Sequence, residues 1–314
     1  MIPQLLFGGS PGSSVPPPSP WPYPGATWPR ADPSEHGMSA SALRAVPLSL
    51  IVAATVIRHG HEVWTYGDVD VVETSWASCS RSVLTTAWGI LIFRGAIPGG
   101  MDALEDPVLA LGTATAHLFS PNIKLKHLLS YTSQANPPGS SWSYSCREHW
   151  PAQHRILEEL TGETVQRWMQ RELLDVLGGH LGCRRVGADG TNRVIGSCRD
   201  MARWGYLWLR RGRWHDAQIL DPAFVARATG GGPDGDGRPE PREAFQLHKI
   251  YRETCLPGDG TLHIPGVPDD AFFAAANGAF ILVVPSLDLV CARYRSTGLD
   301  IGQWAGKICR AVIE

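Results

Sequence analysis

Strand-forming runs stand at both ends of this chain, and helical periodicity fills the middle. Near the start, Leu50-Ile51-Val52-Ala53-Ala54-Thr55-Val56-Ile57-Arg58 is almost wholly apolar. His59-Gly60 separates it from His61-Glu62-Val63-Trp64-Thr65-Tyr66-Gly67. Two β-rich runs around a Gly-containing turn predict an antiparallel hairpin whose first strand is covered on both faces. Near the end, Ala271 to Ala276 and Phe280 to Pro285 flank Asn277-Gly278, a strong hairpin dipeptide. Leu289 to Tyr294 is the next strand after a turn at 285–288, and Ile301 to Val312 is a closing helix. Two strands, several helices, three strands and a helix predict an α+β fold. One antiparallel sheet is drawn from both chain ends and flanked by helices, with a mostly helical insertion between its halves.

The intervening pattern places helices at 39–46, 78–93, 125–131, 148–160, 164–177 and 199–211, and a Gly- and Pro-rich loop at 230–242. Residues 1–35 are rich in Pro, Gly and Ser, which favours an extended segment; Trp21, Tyr23 and Trp28 let it lie along the body as a strap. The expected organisation is this segment, an α/β domain from 36–95 and 262–314, and a mainly helical domain from 96–261. The site is expected between the two domains.

Composition excludes several partners. The 314 residues carry a formal net charge of −2, which argues against nucleic acid or an anionic membrane surface. No apolar run approaches the roughly 20 residues of a membrane helix. The basic-aromatic stretch 203–214 reads as an amphipathic helix and turn with its tryptophans in the core. Seven scattered cysteines without a Cys-x-x-Cys pair give no zinc or iron–sulfur signal. Free thiols and an N-terminus without a basic, signal-like region lead to the expectation of a cytoplasmic protein. His59 and His61 lack a third ligand in sequence, so neither a metal nor another cofactor is expected.

Ser78 opens an apolar helical run and Arg81 follows one turn later, on the same face. Ser-x-x-Lys at a helix start is the nucleophile signature of β-lactamases and penicillin-binding proteins. Here arginine stands where that signature has lysine. Four further landmarks follow in order beside the first hairpin. They are Ile123-Lys124-Leu125-Lys126-His127-Leu128-Leu129-Ser130-Tyr131-Thr132-Ser133, Trp142-Ser143-Tyr144-Ser145-Cys146, Arg199-Asp200-Met201-Ala202-Arg203-Trp204-Gly205, and Ala276-Asn277-Gly278-Ala279-Phe280. Together they resemble the class C β-lactamase-like serine hydrolases, including family VIII carboxylesterases, 6-aminohexanoate-dimer hydrolases and some acyltransferases. The resemblance runs from about Glu35 to the end of the chain.

The resemblance implies roles. Ser78 would be the nucleophile, and Tyr144, with Arg81 beside it, would manage the proton. A guanidinium, with a pKa above about 12, cannot be a base. Arg81 would instead hold Tyr144 as phenolate. Cys146 stands where the family has asparagine and supplies only a weak hydrogen-bonding group to substrate. His127 would order its loop. Asn277 and Gly278 fall at the third motif, where a cation is missing but backbone N–H groups remain for an oxyanion, unless the pair is only a turn. The implied reaction is acyl transfer from an ester or amide of a small molecule by an esterase, amidase or acyltransferase; the aromatic residues near the expected pocket point to an apolar or ring-containing substrate. Two alternatives share the scaffold: a non-hydrolytic cyclase, isomerase or lyase using Tyr144 and Arg81, and a catalytically dead binding protein.

Overall fold

The computed structural model describes residues 19–72, 75–97, 124–129, 149–186, 191–229, 265–268, 270–276, 278–294 and 301–313. Ala53–Arg58 (β1) and His61–Gly67 (β2) form the first hairpin. Its two-residue turn puts His59 at φ 50° and Gly60 at φ 73°. Both values are left-handed, as the hairpin turn that matches strand twist requires. Ala40–Arg44 (α1) precedes the hairpin, and Cys79–Phe93 (α2), Leu125–Leu129 (α3), His149–Thr161 (α4), Val165–Met169 (α5) and Asp175–Leu177 (α6) follow it. Gly182–Val186 (β3) pairs with Thr191–Ile195 (β4). Then come Cys198–Leu209 (α7), the short pair Arg213–Trp214 (β5) and Ala217–Gln218 (β6), and Pro222–Ala228 (α8). Phe272–Ala275 (β7), Ala279–Val284 (β8), Leu289–Tyr294 (β9) and Ile301–Arg310 (α9) complete the order.

The main sheet runs β2-β1-β9-β8-β7, all antiparallel, so the two chain ends meet at the β1–β9 pair. All six residues of β1, β8 and β9 are buried. Alternation then decides which layer each side chain joins. Ala279, Ile281, Val283, Val290 and Ala292 face the larger core with α2 and α7. Phe280, Leu282, Val284, Leu289 and Cys291 face the smaller core with Met38, Leu43, Trp304 and Ile308. The helix and strand order agrees with the sequence expectation of an α+β fold. The β3–β4 pair and α8 were not expected from the sequence.

Helix α7 lies directly on the sheet. Ser197 caps it, accepting from the Asp200 N–H while the Asp200 carboxylate accepts from Ser197 N–H. Trp204 and Trp208 are buried, and both indole N–H groups donate to the Thr86 hydroxyl of α2. The strap crosses the same helix. Tyr206 donates to Pro22 O at 2.8 Å, and Arg203 donates to Gly25 O at 2.7 Å. Buried Glu62 accepts from Thr55, Arg199 and Arg30, which ties β2 to α7 and to the strap.

Gly205 sets the helix–sheet distance. A Cβ there would stand 2.7 Å from Val290 Cγ1 and 3.0 Å from Ile281 Cγ2. Alanine recovers about 1 kcal/mol of helix propensity, while overpacking against stiff β-branched neighbours costs about 1–3 kcal/mol. Gly205→Ala is therefore expected to lower unfolding free energy in urea by about 1 kcal/mol. A stability gain would show that α7 is not held this tightly.

Candidate active site

The chain ahead of α2 is pinned from two sides. Trp76 N–H donates to Val194 O at 2.8 Å, and its indole N–H donates to Gly196 O at 3.1 Å. Tyr294 donates from its hydroxyl to Ser75 O at 2.7 Å. One anchor comes from β4 and the residue following it, the other from β9. Directly after the anchored residues, Ala77 adopts φ 46°, a left-handed conformation costly for a residue with a Cβ. The strain is local, and it turns the chain sharply into the helix.

Ser78 follows at φ −64°, ψ −20°, half-buried at the N-terminus of the 15-residue helix. Its side chain makes no capping hydrogen bond, so the helix-cap explanation for a serine at this position fails. The helix dipole favours negative charge at this end. Ser80, two residues on, is buried and accepts from Val194 N–H at 3.0 Å. Cys79 donates its S–H to Ala279 O at 3.7 Å, across 200 residues of sequence. That carbonyl also closes the turn containing Gly278, accepting from Ala276 N–H at 2.9 Å. Gly278 itself sits at φ 95°. The start of α2 therefore lies against the turn between β7 and β8.

Arg81 extends toward α4. Its guanidinium carbon is 5.5 Å from the centre of the Trp150 ring, a cation–π distance. A second guanidinium, from Arg193 on β4, is 5.7 Å from the same ring. Arg193 is otherwise held by the Thr191 hydroxyl and the Asn192 carbonyl, both neutral. The sequence did not single out Arg193 or Trp150; nothing in their spacing marks them, because only folding joins β4 to α4. The joint is His154. Its Nε2 accepts from Asn192 N–H at 3.0 Å, so its Nδ1 carries the proton and donates to Trp150 O at 2.8 Å.

Ser78, Arg81 and Gly278 thus occupy one region. Tyr144, Cys146 and Asn277 lie outside the described residues. The segment that carries Tyr144 and Cys146 joins α3 to α4, whose ends are tied by Gln153 donating to Leu128 O at 3.1 Å. His127 accepts from Lys124 N–H through Nδ1 at 3.0 Å, a contact that orders its own turn. Burial drives the Cys79 thiol far above the ordinary cysteine range. It stays protonated at neutral pH and cannot compete with Ser78 as nucleophile.

No family model matches the chain, and no curated protein matches it. Solved structures do. A penicillin-binding protein homologue from Caulobacter crescentus superposes with a TM-score of 0.65 at 13% identity, over 91% of this chain and 98% of that one. A β-lactamase from Mycobacterium bovis superposes at 0.58 with 21% identity, over 87% and 96%. EstCE1, a hydrolase with promiscuous acyltransferase activity, superposes at 0.61 with 15% identity, over 88% and 98%. The fold is the one these β-lactamase and penicillin-binding-protein-like structures share.

The raised thiol gives a direct check. Burial raises the Cys198 thiol likewise, so in native protein at about pH 8.5, near the ordinary cysteine pKa, iodoacetamide is expected to leave Cys79 and Cys198 unmodified, and to modify both after denaturation. Rapid native alkylation of Cys79, mapped by peptide mass, would contradict its burial against Ala279.

Proposed function

We propose that the chain is a serine enzyme that transfers an acyl group from an ester or amide of a small molecule, through an acyl-enzyme on Ser78. The observation that carries the reading is the meeting of the start of α2 with the β7–β8 turn, seen in the Cys79–Ala279 contact. Ser78 has a hydroxyl not used as a cap, at the positive end of a 15-residue helix. In this reading its N–H and a backbone N–H near Gly278 stabilise the tetrahedral oxyanion. Solved structures of the same fold include a hydrolase with acyltransferase activity.

Proton transfer is assigned to Tyr144. Arginine stays charged at all working pH values, so Arg81 cannot take the Ser78 proton. It can lower the pKa of a phenol. A tyrosine must fall by about three units to be half-ionised at neutral pH, which is about 4 kcal/mol. One unit charge at about 4 Å in an effective dielectric of about 20 supplies about 4 kcal/mol. Arg81 is thus sufficient if it adjoins the phenol, and Arg193 adds in the same direction. Tyr144 phenolate takes the Ser78 proton, Ser78 Oγ attacks the carbonyl, and the phenol returns the proton to the leaving alcohol or amine. Water or an acceptor alcohol then releases the acyl group. Cys146 and Asn277 complete the substrate contacts in this assignment.

The test is the pH–rate profile on an activated aryl ester. Ser78→Ala is expected to abolish turnover, and Tyr144→Phe to lower kcat/KM by about 100-fold or more. Arg81→Met removes the cation that holds the phenol pKa down. Its acid limb should therefore move to higher pH, with activity recovering as pH rises. Full activity in Tyr144→Phe eliminates the tyrosine as base; full activity in Ser78→Ala eliminates the acyl-enzyme.

A further inference from the structure

We propose that His36 and His59 form a binding site for a divalent first-row transition ion such as Zn²⁺, Ni²⁺ or Cu²⁺, where the N-terminal strap meets the β1–β2 turn. His59 and His61 alone lack a third partner in sequence. Folding supplies His36, from the 3₁₀ turn Pro33–His36. The Nδ1 atoms of His36 and His59 stand 3.3 Å apart. Two imidazole nitrogens held about 2.05 Å from a tetrahedral ion stand about 3.3 Å apart. The pair already has the bite of such an ion.

Both rings are held in place from behind. Trp21 stacks on His59 with centroids 4.3 Å apart and planes 17° apart. His61 stacks on His36 at 4.4 Å and 28°. His61 donates from Nδ1 to His59 O at 2.9 Å, and His59 N–H donates to Asp288 O at 3.2 Å. Without an ion, one Nδ1 donates to the other, so one ring presents a lone pair to its neighbour. On binding, the donor ring keeps its proton at Nε2 instead, and a neutral pair releases none. A pair carrying one positive charge releases one proton, so acid competes with the ion.

The surrounding charges set the selectivity. Asp32 caps the 3₁₀ turn and accepts from Ser34, and Glu35, inside the turn, accepts from Asp32 N–H. Glu62 is held by Arg30 and Arg199, Asp288 is held by Arg210, and Arg58 donates to Gly37 O beside His36. The nearby carboxylates are already neutralised or engaged, so affinity rests on the two imidazole nitrogens. Such a site favours nitrogen-seeking ions over Mg²⁺ or Ca²⁺. Among the described residues no group of three or more His, Cys, Asp or Glu encloses an ion. A bound ion would join the 3₁₀ turn to the hairpin and hold the strap against α7.

The test is calorimetric titration of tag-free, full-length protein with NiCl₂, ZnCl₂ and MgCl₂, alongside thermal melts. The expected result is one saturable Ni²⁺ or Zn²⁺ equivalent that raises Tm, with no Mg²⁺ binding. Affinity should fall about tenfold or more between pH 7.5 and 5.5. His36→Gln and His59→Gln should each weaken it about tenfold or more. Melting without metal shows that each variant is folded. Absence of saturable binding to wild type, or binding unchanged in folded His36→Gln and His59→Gln, overturns the proposal.

Discussion

The candidate site depends on one short turn being held from both sides. Trp76 is bonded to β4 and to Gly196, and Tyr294 of β9 is bonded to Ser75. Ala77, the next residue, takes a left-handed conformation. Three intramolecular hydrogen bonds at about 1 kcal/mol each are enough to offset the roughly 1–2 kcal/mol of that strain. The result is a serine at a helix start whose hydroxyl is not used as a cap. Any weakening of β4 or β9 acts on the orientation of Ser78 without touching it.

The large elements were legible because their periodicities are plain. Continuous apolar runs gave β1, β8 and β9, and His59-Gly60 and Asn277-Gly278 gave the turns. The buried indoles of Trp204 and Trp208 followed from helical spacing in α7. The β3–β4 pair was not legible: Gly182-Cys183-Arg184-Arg185-Val186 mixes charge into a short strand, and its partner is held by Ser80 and His154 rather than by its own pattern. The helix α8, seven residues behind Asp221-Pro222, is too short to show a face. Of the candidate site, the one-turn spacing of Ser78 and Arg81 was legible. Arg193 and Trp150 were not, because their contact exists only after α4 and β4 meet.

The arginine at the helix changes the chemistry more than the architecture. A lysine could share a proton with its neighbours; a guanidinium contributes a permanent charge and a flat face. That charge stands over the Trp150 ring, 5.5 Å from its centre, an arrangement worth about 0.5–2 kcal/mol. It fixes where the charge stands. With Arg193 at the same ring and the helix dipole beside it, the region favours anionic species, whether an oxyanion or a phenolate. The proposed division of labour follows: Arg81 sets the field, Tyr144 moves the proton, and Ser78 takes the acyl group.

Intact-mass spectrometry after incubation with a fluorophosphonate tests that account most directly, because it requires only an activated Ser78 and no knowledge of the natural substrate. A single adduct that maps to the Ser78 peptide, and is absent from folded Ser78→Ala, is the predicted result. Folded protein that takes no adduct, or an adduct that persists in Ser78→Ala, would contradict it.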